Sequence, residues 1–372
     1  MSTWASRRVP VEFESEGATL RGYLYRATRG DPPFPLVVMA HGTSATIPMV
    51  ADRYAEVFAE AGVSALIHDH RNLGMSGGEP RQEINPWVQC RGYRDAITFA
   101  SSLDAHDPSR IGVWGDSYSG GQVFLVAACD PRVQVVVAQC PVFGARTPEA
   151  DPTPELMDAI RATLESGDVS GGAEDRVGPL PVVSPDQRGI PSLLQPIQAF
   201  RWFIDYGGRP GSGWQNHVTR VVPSNTAPYS PYLCAPYVTV PSLMMVAPDD
   251  EMVHADPAVS RAAFDLLPGD KEWCEIDGGH FGLLYHPSGL FEEASTVQSD
   301  YLRRHLLPLS AGRLGDDPHR SRERRLGPHF SHARSIGWSG PAESCDGLSR
   351  GTVGPTAVLT PGCGRLQTQV DR

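Results

Sequence analysis

The sequence is almost without lysine: Lys271 stands alone among 32 Lys and Arg residues in a chain of 372. So one-sided a use of arginine marks a GC-rich coding sequence and carries no functional signal. Positive charge is also scarce overall. The formal net charge is −11 and the pI near 5.5, which argues against nucleic acid or an anionic membrane as the main partner, because both require a basic surface to neutralise phosphate. Long apolar runs are missing as well. No stretch approaches the ~20 apolar residues of a membrane span, and Arg7 and Arg8 have no secretory apolar run behind them. Seven cysteines at positions 90, 129, 140, 234, 274, 345 and 363 show neither metal-ligand spacing nor a compact disulfide framework. They read as free thiols of a reducing compartment. No internal repeat occurs, which excludes solenoids and propellers. What remains is a cytoplasmic globular protein acting on small molecules, with hydrophobic content of 40%, ample for a sizeable core.

The chain is organised around residues 110–129. The apolar run Ile111-Gly112-Val113-Trp114 breaks into small residues around Ser117 and resumes as Val123-Phe124-Leu125-Val126, which reads as strand, tight turn and helix. A serine at such a turn has its hydroxyl pushed out of a strained backbone, and the residues two positions either side must be small to let strand and helix pass. Gly115 and Ser119 occupy those positions, and Ser119 stands where the G-x-S-x-G pattern has glycine. Ser117 is therefore a candidate nucleophile, and a plain Gly/Ser turn is the competing reading.

Strands and helices alternate on both sides of this stretch. Residues 9–26 suggest an edge hairpin, and Leu36-Val37-Val38-Met39-Ala40 is the continuous apolar run of a strand buried on both faces. A helix at 52–61, a strand at 63–67, a helix at 87–103 and a strand at 133–138 follow. The pattern predicts an α/β fold with a doubly wound, mostly parallel sheet, whose sites lie at the carboxyl ends of strands. The alternation stops from Phe143 to Pro241, where Pro, Gly, Asp and Ser accumulate around two helical islands. One carries Leu156, Met157, Ile160 and Leu164, and the other Ile197, Phe200, Phe203 and Ile204, at the spacing of a helix laid on an apolar surface. The sheet resumes at 242–246, with a helix at 257–267, a strand at 272–276 and a helix at 290–306. The expected organisation is a core at 9–142, an inserted cap at 143–241, a second core part at 242–307, and a disordered tail at 308–372 lacking periodicity.

A serine hydroxyl needs a histidine to take its proton and a carboxylate to orient that histidine. Two loops at strand ends supply them: Asp249-Asp250-Glu251 after the strand at 242–246, and Gly278-Gly279-His280-Phe281 after the strand at 272–276. The order Ser117, Asp250, His280 resembles the α/β-hydrolase family over residues 9–306. By that resemblance Asp250 matches the family's acid, with Asp249 as its rival. The resemblance places the oxyanion hole at the backbone N–H groups of Tyr118 and of Thr43, after the His41-Gly42 pair, with His41 holding the loop. His68-Asp69-His70 suggests a metal. Yet Asp69-His70-Arg71-Asn72-Leu73-Gly74-Met75-Ser76 resembles the family's D-x-R-G-x-G-x-S loop, with Asn72 in place of a glycine, so no metal is expected.

The Gly115-x-Ser117-Tyr118-x-Gly120 elbow resembles that of the cocaine-esterase and X-prolyl dipeptidyl-peptidase group. The wider run, including Asn85-Pro86 and Tyr93-Arg94-Asp95-Ala96, is similar to microbial polyketide transferases and thiohydrolases. These resemblances imply a cofactor-free serine esterase forming an acyl-enzyme on Ser117. Thioester hydrolysis or acyl transfer in a polyketide-type pathway is the alternative, and a peptidase or a non-catalytic binding protein on the same scaffold is disfavoured. The cap carries Phe200, Trp202, Phe203, Tyr206, Trp214, Tyr229, Tyr232 and Tyr237, which either glue it to the core or line an apolar pocket.

Overall fold

The computed structural model describes residues 8–224, 227–307 and 321–326. The first half of the chain runs β1 (Arg8–Ser15), β2 (Ala18–Tyr25), β3 (Phe34–Ala40), α1 (Ala51–Glu60), β4 (Ser64–His68), β5 (Glu83–Ile84), α2 (Pro86–Ser101), β6 (His106–Asp116), α3 (Ser117–Cys129) and β7 (Val133–Gln139). The second half runs α4 (Pro154–Ser166), β8 (Arg176–Leu180), α5 (Ile197–Gly207), β9 (Val218–Val221), α6 (Pro231–Cys234), β10 (Ser242–Val246), α7 (Pro257–Leu266), β11 (Lys271–Ile276), α8 (Gly289–Leu306) and β12 (Ser321–Leu326).

Nine strands form one sheet in the order β1-β2-β4-β3-β6-β7-β10-β11-β12. β2 pairs antiparallel with both β1 and β4, while every other pairing is parallel. The predicted fold class therefore matches the architecture. The central strands are apolar on both faces because helices cover both. Val37 and Met39 of β3 enter one core with α1 and α8, and Leu36 and Val38 enter the other with α2, α3 and α7. α1 shows how sequence sets this layer: Ala51, Tyr54, Ala55, Phe58 and Ala59 are buried at helical spacing, so one apolar stripe faces the sheet. α3 is buried almost all round, as a helix behind the central strands must be.

The segment 143–241 is less separate than its composition suggests. α4 sends Met157, Ile160 and Leu164 into the core on one side of the sheet, and α5 sends Trp202, Phe203 and Tyr206 into the core on the other. The predicted face of the second island requires correction. Ile197 and Ile204 are exposed, and the buried stripe is Ala199, Trp202, Phe203, Tyr206 and Gly207, because aromatic rings outcompete isoleucine for the space against Phe281. A three-stranded sheet, β5-β9-β8, was not legible in the sequence. Its outer strand, Arg176-Val177-Gly178-Pro179-Leu180, is nearly all exposed and lacks the apolar alternation that marks a strand.

The region from 308 onward contains β12, which pairs in parallel with β11. These six residues depart from the expectation of disorder, and the rest of the expected tail lies outside the described residues. Ser-Arg-Glu-Arg-Arg-Leu has no apolar face to announce a strand. It is held through backbone pairing and through the buried Glu272 carboxylate, which Arg304 and Arg324 both meet. The five described cysteines, Cys90, Cys129, Cys140, Cys234 and Cys274, are unpaired and buried. No described helix is long and apolar enough to cross a membrane.

Candidate active site

β6 ends at Asp116, and Ser117 opens α3 with φ of 52°, a left-handed conformation costly for a residue with a Cβ. The flanking small residues are required by contact. A Cβ on Gly115 would lie 2.3 Å from the Ser119 carbonyl oxygen, and one on Gly121 2.3 Å from that of Val142. Ser119 fits in place of glycine because its hydroxyl has work: Oγ lies 2.9 Å from His70 Nε2, 2.8 Å from the His41 carbonyl and 3.0 Å from Gln122 Oε1. The substitution thereby ties the elbow to two neighbouring loops.

Loops at the carboxyl ends of β10 and β11 bring the other two residues to Ser117. His280 Nε2 lies 2.8 Å from Ser117 Oγ, and His280 Nδ1 lies 2.8 Å from Asp250 Oδ2. The side chains of His280 and Asp250 are 2% and 1% exposed, so solvent does not compete for these hydrogen bonds. Asp249, the rival acid, faces solvent. The second Asp250 oxygen accepts from the Met252 N–H at 2.8 Å, and Glu251 accepts from the His280 N–H at 2.9 Å. With Nδ1–H donating to Asp250, Nε2 is left to accept the serine proton.

The loop after β3 lies against the elbow. A Cβ on Gly42 would sit 2.7 Å from that of Ser117 and 3.2 Å from the Tyr118 nitrogen, so only glycine allows this approach. Thr43 follows with φ of 48°, a genuine outlier for a β-branched residue. The Tyr118 N–H lies in the first turn of α3, where the helix provides no acceptor. His41 fixes the loop: its Nδ1 lies 2.9 Å from Asp116 Oδ1 and its Nε2 2.8 Å from the Met49 carbonyl. Burial alone would push the imidazole down, but the Asp116 charge and hydrogen bond, with the Met49 carbonyl, outweigh it and raise the His41 pKa.

His68, Asp69 and His70 serve other contacts. Asp69 accepts from the backbone N–H groups of Ile47 and Met75, at 2.9 Å each, and burial pushes its carboxyl up to about 6. His68 packs edge-on to Phe13, Tyr93 and His70, and burial pushes it down to about 3. Asn72 has φ of 73°, which explains its place in a loop where glycine is usual, since asparagine tolerates the left-handed region best among residues with a Cβ. Among the described residues, metal-ligating atoms gather within 4.8 Å of one another at Cys140, Asp250 and His280. There Asp250 and His280 bond each other at 2.8 Å, and burial holds the Cys140 thiol well above its usual pKa.

Ser117 opens into a cavity of about 370 Å³ whose wall includes Ile84, Val142, Leu193, Leu194, Met252 and Val253. Of the eight cap aromatics only Tyr229 lines it. Trp202 instead stacks on Phe281 and donates from Nε1 to the Leu284 carbonyl at 2.8 Å, and Trp214 packs on Phe203. Phe200, Trp202, Phe203, Tyr206 and Trp214 thus pack into or against the hydrophobic core, and the wall is largely aliphatic. The scattered apolar pairs Leu193-Leu194 and Met252-Val253 gave no periodic signal by which sequence could find them.

The nine-stranded sheet, the strained serine and the buried Ser117–His280–Asp250 chain define an α/β hydrolase. No protein-family model matches the chain. It is 32% identical over 282 residues to the thiohydrolase aneE of Aspergillus aculeatus, covering 74% of this chain and 86% of that one. It is 28% identical over 297 residues to the quorum-quenching protein AidA of Acinetobacter baumannii, covering 79% and 94%. The crystal structure of the α/β hydrolase GrgF from Penicillium sp. superposes with a TM-score of 0.62 at 25% identity, covering 80% of this chain and 99% of that one. The chain belongs to the α/β-hydrolase family that includes this thiohydrolase.

Proposed function

We propose that the protein is a serine hydrolase cleaving carboxylic esters or thioesters of small apolar acyl groups through an acyl-enzyme on Ser117, with no cofactor. His280 Nε2 takes the Ser117 proton as Oγ attacks the acyl carbonyl, and Asp250 stabilises the imidazolium that forms. The N–H groups of Thr43 and Tyr118 hold the developing oxyanion. Collapse expels the alcohol or thiol, which receives the proton from His280. Water then attacks the acyl-enzyme with His280 as base and frees the acid and Ser117. The observation that carries this reading is the 2.8 Å contact between Ser117 Oγ and His280 Nε2 at the floor of an apolar cavity. The thiohydrolase relative favours a thioester over an oxygen ester as the natural substrate; the residues perform the same steps on either. Treatment with a fluorophosphonate followed by intact-mass and peptide analysis tests it. One adduct on Ser117 is the expected result, and an unmodified Ser117 in folded protein overturns the reading.

A further inference from the structure

Among the described residues the cavity wall contains no acidic residue, and its one permanently charged side chain is Arg220. β9 carries Arg220, and its place is fixed relative to the sheet core: Arg220 pairs with Ile84 of β5, directly before α2, and Ile84 lines the same cavity. The contrast with its neighbour is instructive. Arg176, on the adjoining strand, meets the Glu83 carboxylate. Among the described residues no carboxylate pairs with Arg220, although the chain holds 43 Asp and Glu against 32 Lys and Arg. On the same wall, burial and then the nearby Arg220 lower the pKa of His254, which favours its neutral form. An unpaired guanidinium offers a fork of donors matched to carboxylate or phosphate. Elsewhere in this apolar cavity an anion would lose its hydration without return.

We propose that Arg220 selects substrates carrying an anionic oxygen group, carboxylate or phosphate, remote from the acyl carbonyl. This rests on the reading of Ser117 as the acylated residue. Two parts of a thioester could supply the anion: the far end of the acyl chain as a carboxylate, or the thiol leaving group as a phosphate.

Binding to the Ser117→Ala chain separates these sources without turnover. Calorimetry compares the N-acetylcysteamine thioester of hexanoic acid with that of adipic acid, and with the hexanoyl thioester of 4′-phosphopantetheine. The anion-bearing compound is expected to bind about tenfold more tightly, as a charge-assisted hydrogen bond allows. Preference for the adipate compound assigns the carboxylate, and preference for the phosphopantetheine compound assigns the phosphate. Adding Arg220→Gln should bring the ratio to about one, and Arg220→Lys should keep most of it. Equal affinities, absence of binding by all three, or a preference that survives Arg220→Gln overturns the proposal. Turnover of the hexanoyl thioester by the native chain is measured separately, so that loss of the hydrolase reading is seen apart from loss of anion selection.

Discussion

Two regions meet at Ser117 and differ in how their polar groups are used. On the core side, His280, Asp250, His41 and Asp116 are nearly wholly buried and bonded to defined partners. On the other side, the cavity wall is largely aliphatic, and the guanidinium of Arg220 bonds no described carboxylate. A reaction that develops charge in a fixed place needs dipoles set beforehand, whereas selection of a substrate leaves its polar group open until the ligand arrives. The same division separates residues that hold the cap, such as Trp202, from residues that line its underside, such as Leu194.

The sharpest test of the core side is the choice of acid. Asp250→Asn should lower kcat by about 10⁴-fold, since the histidine then loses the partner that sets its tautomer, while Asp249→Asn should stay within about twofold. A larger loss at Asp249 would show that the buried hydrogen bond at Asp250 is structural. Next in size is the contrast inside the cap. Trp202→Ala should destabilise the fold by about 3–5 kcal/mol, as for other large buried side chains, and lower activity on all chain lengths together. Leu194→Ala should leave melting nearly unchanged and shift preference among p-nitrophenyl esters from acetate to decanoate. Its scale is ~0.8 kcal/mol per methylene that loses contact. Uniform loss in both variants would erase the distinction between holding and lining.

The smallest effect is the pH dependence of the His41–Asp116 pair. The folded pKa of His41 is raised, so the stability it contributes is fully present below the unfolded histidine value of about 6.5 and is lost as pH rises through the folded value. Each unit of that shift is worth about 1.4 kcal/mol. In denaturant melts from pH 6 to pH 9, the stability advantage of the native chain over His41→Gln should therefore shrink. An advantage that grows with pH would mean that His41 is buried neutral.

Much of this protein is written in its local sequence. α7, expected at 257–267, runs Pro257–Leu266, and β11, expected at 272–276, runs Lys271–Ile276, because a buried strand and an amphipathic helix each impose a period that one stretch can display. The elbow was legible for the same reason, since Gly115 and Gly121 answer to contacts within the strand-turn-helix unit and with the segment just after β7. Other features arise only when distant segments meet. β5 and β9 pair Glu83 with Thr219, 136 positions apart, and β12 is a strand because β11 offers it an edge. The buried stripe of α5 followed the position of Phe281, which no helical period encodes. The isolation of Arg220 is of this kind too. Sequence alone determined the fold class and the order of Ser117, an acid at 249 or 250, and His280, since each follows from periodicity or from a short motif. Which carboxylate reaches His280, and which arginine is left facing the cavity, only the tertiary structure decided, because electrostatic partners are chosen by distance in space and by exclusion of water.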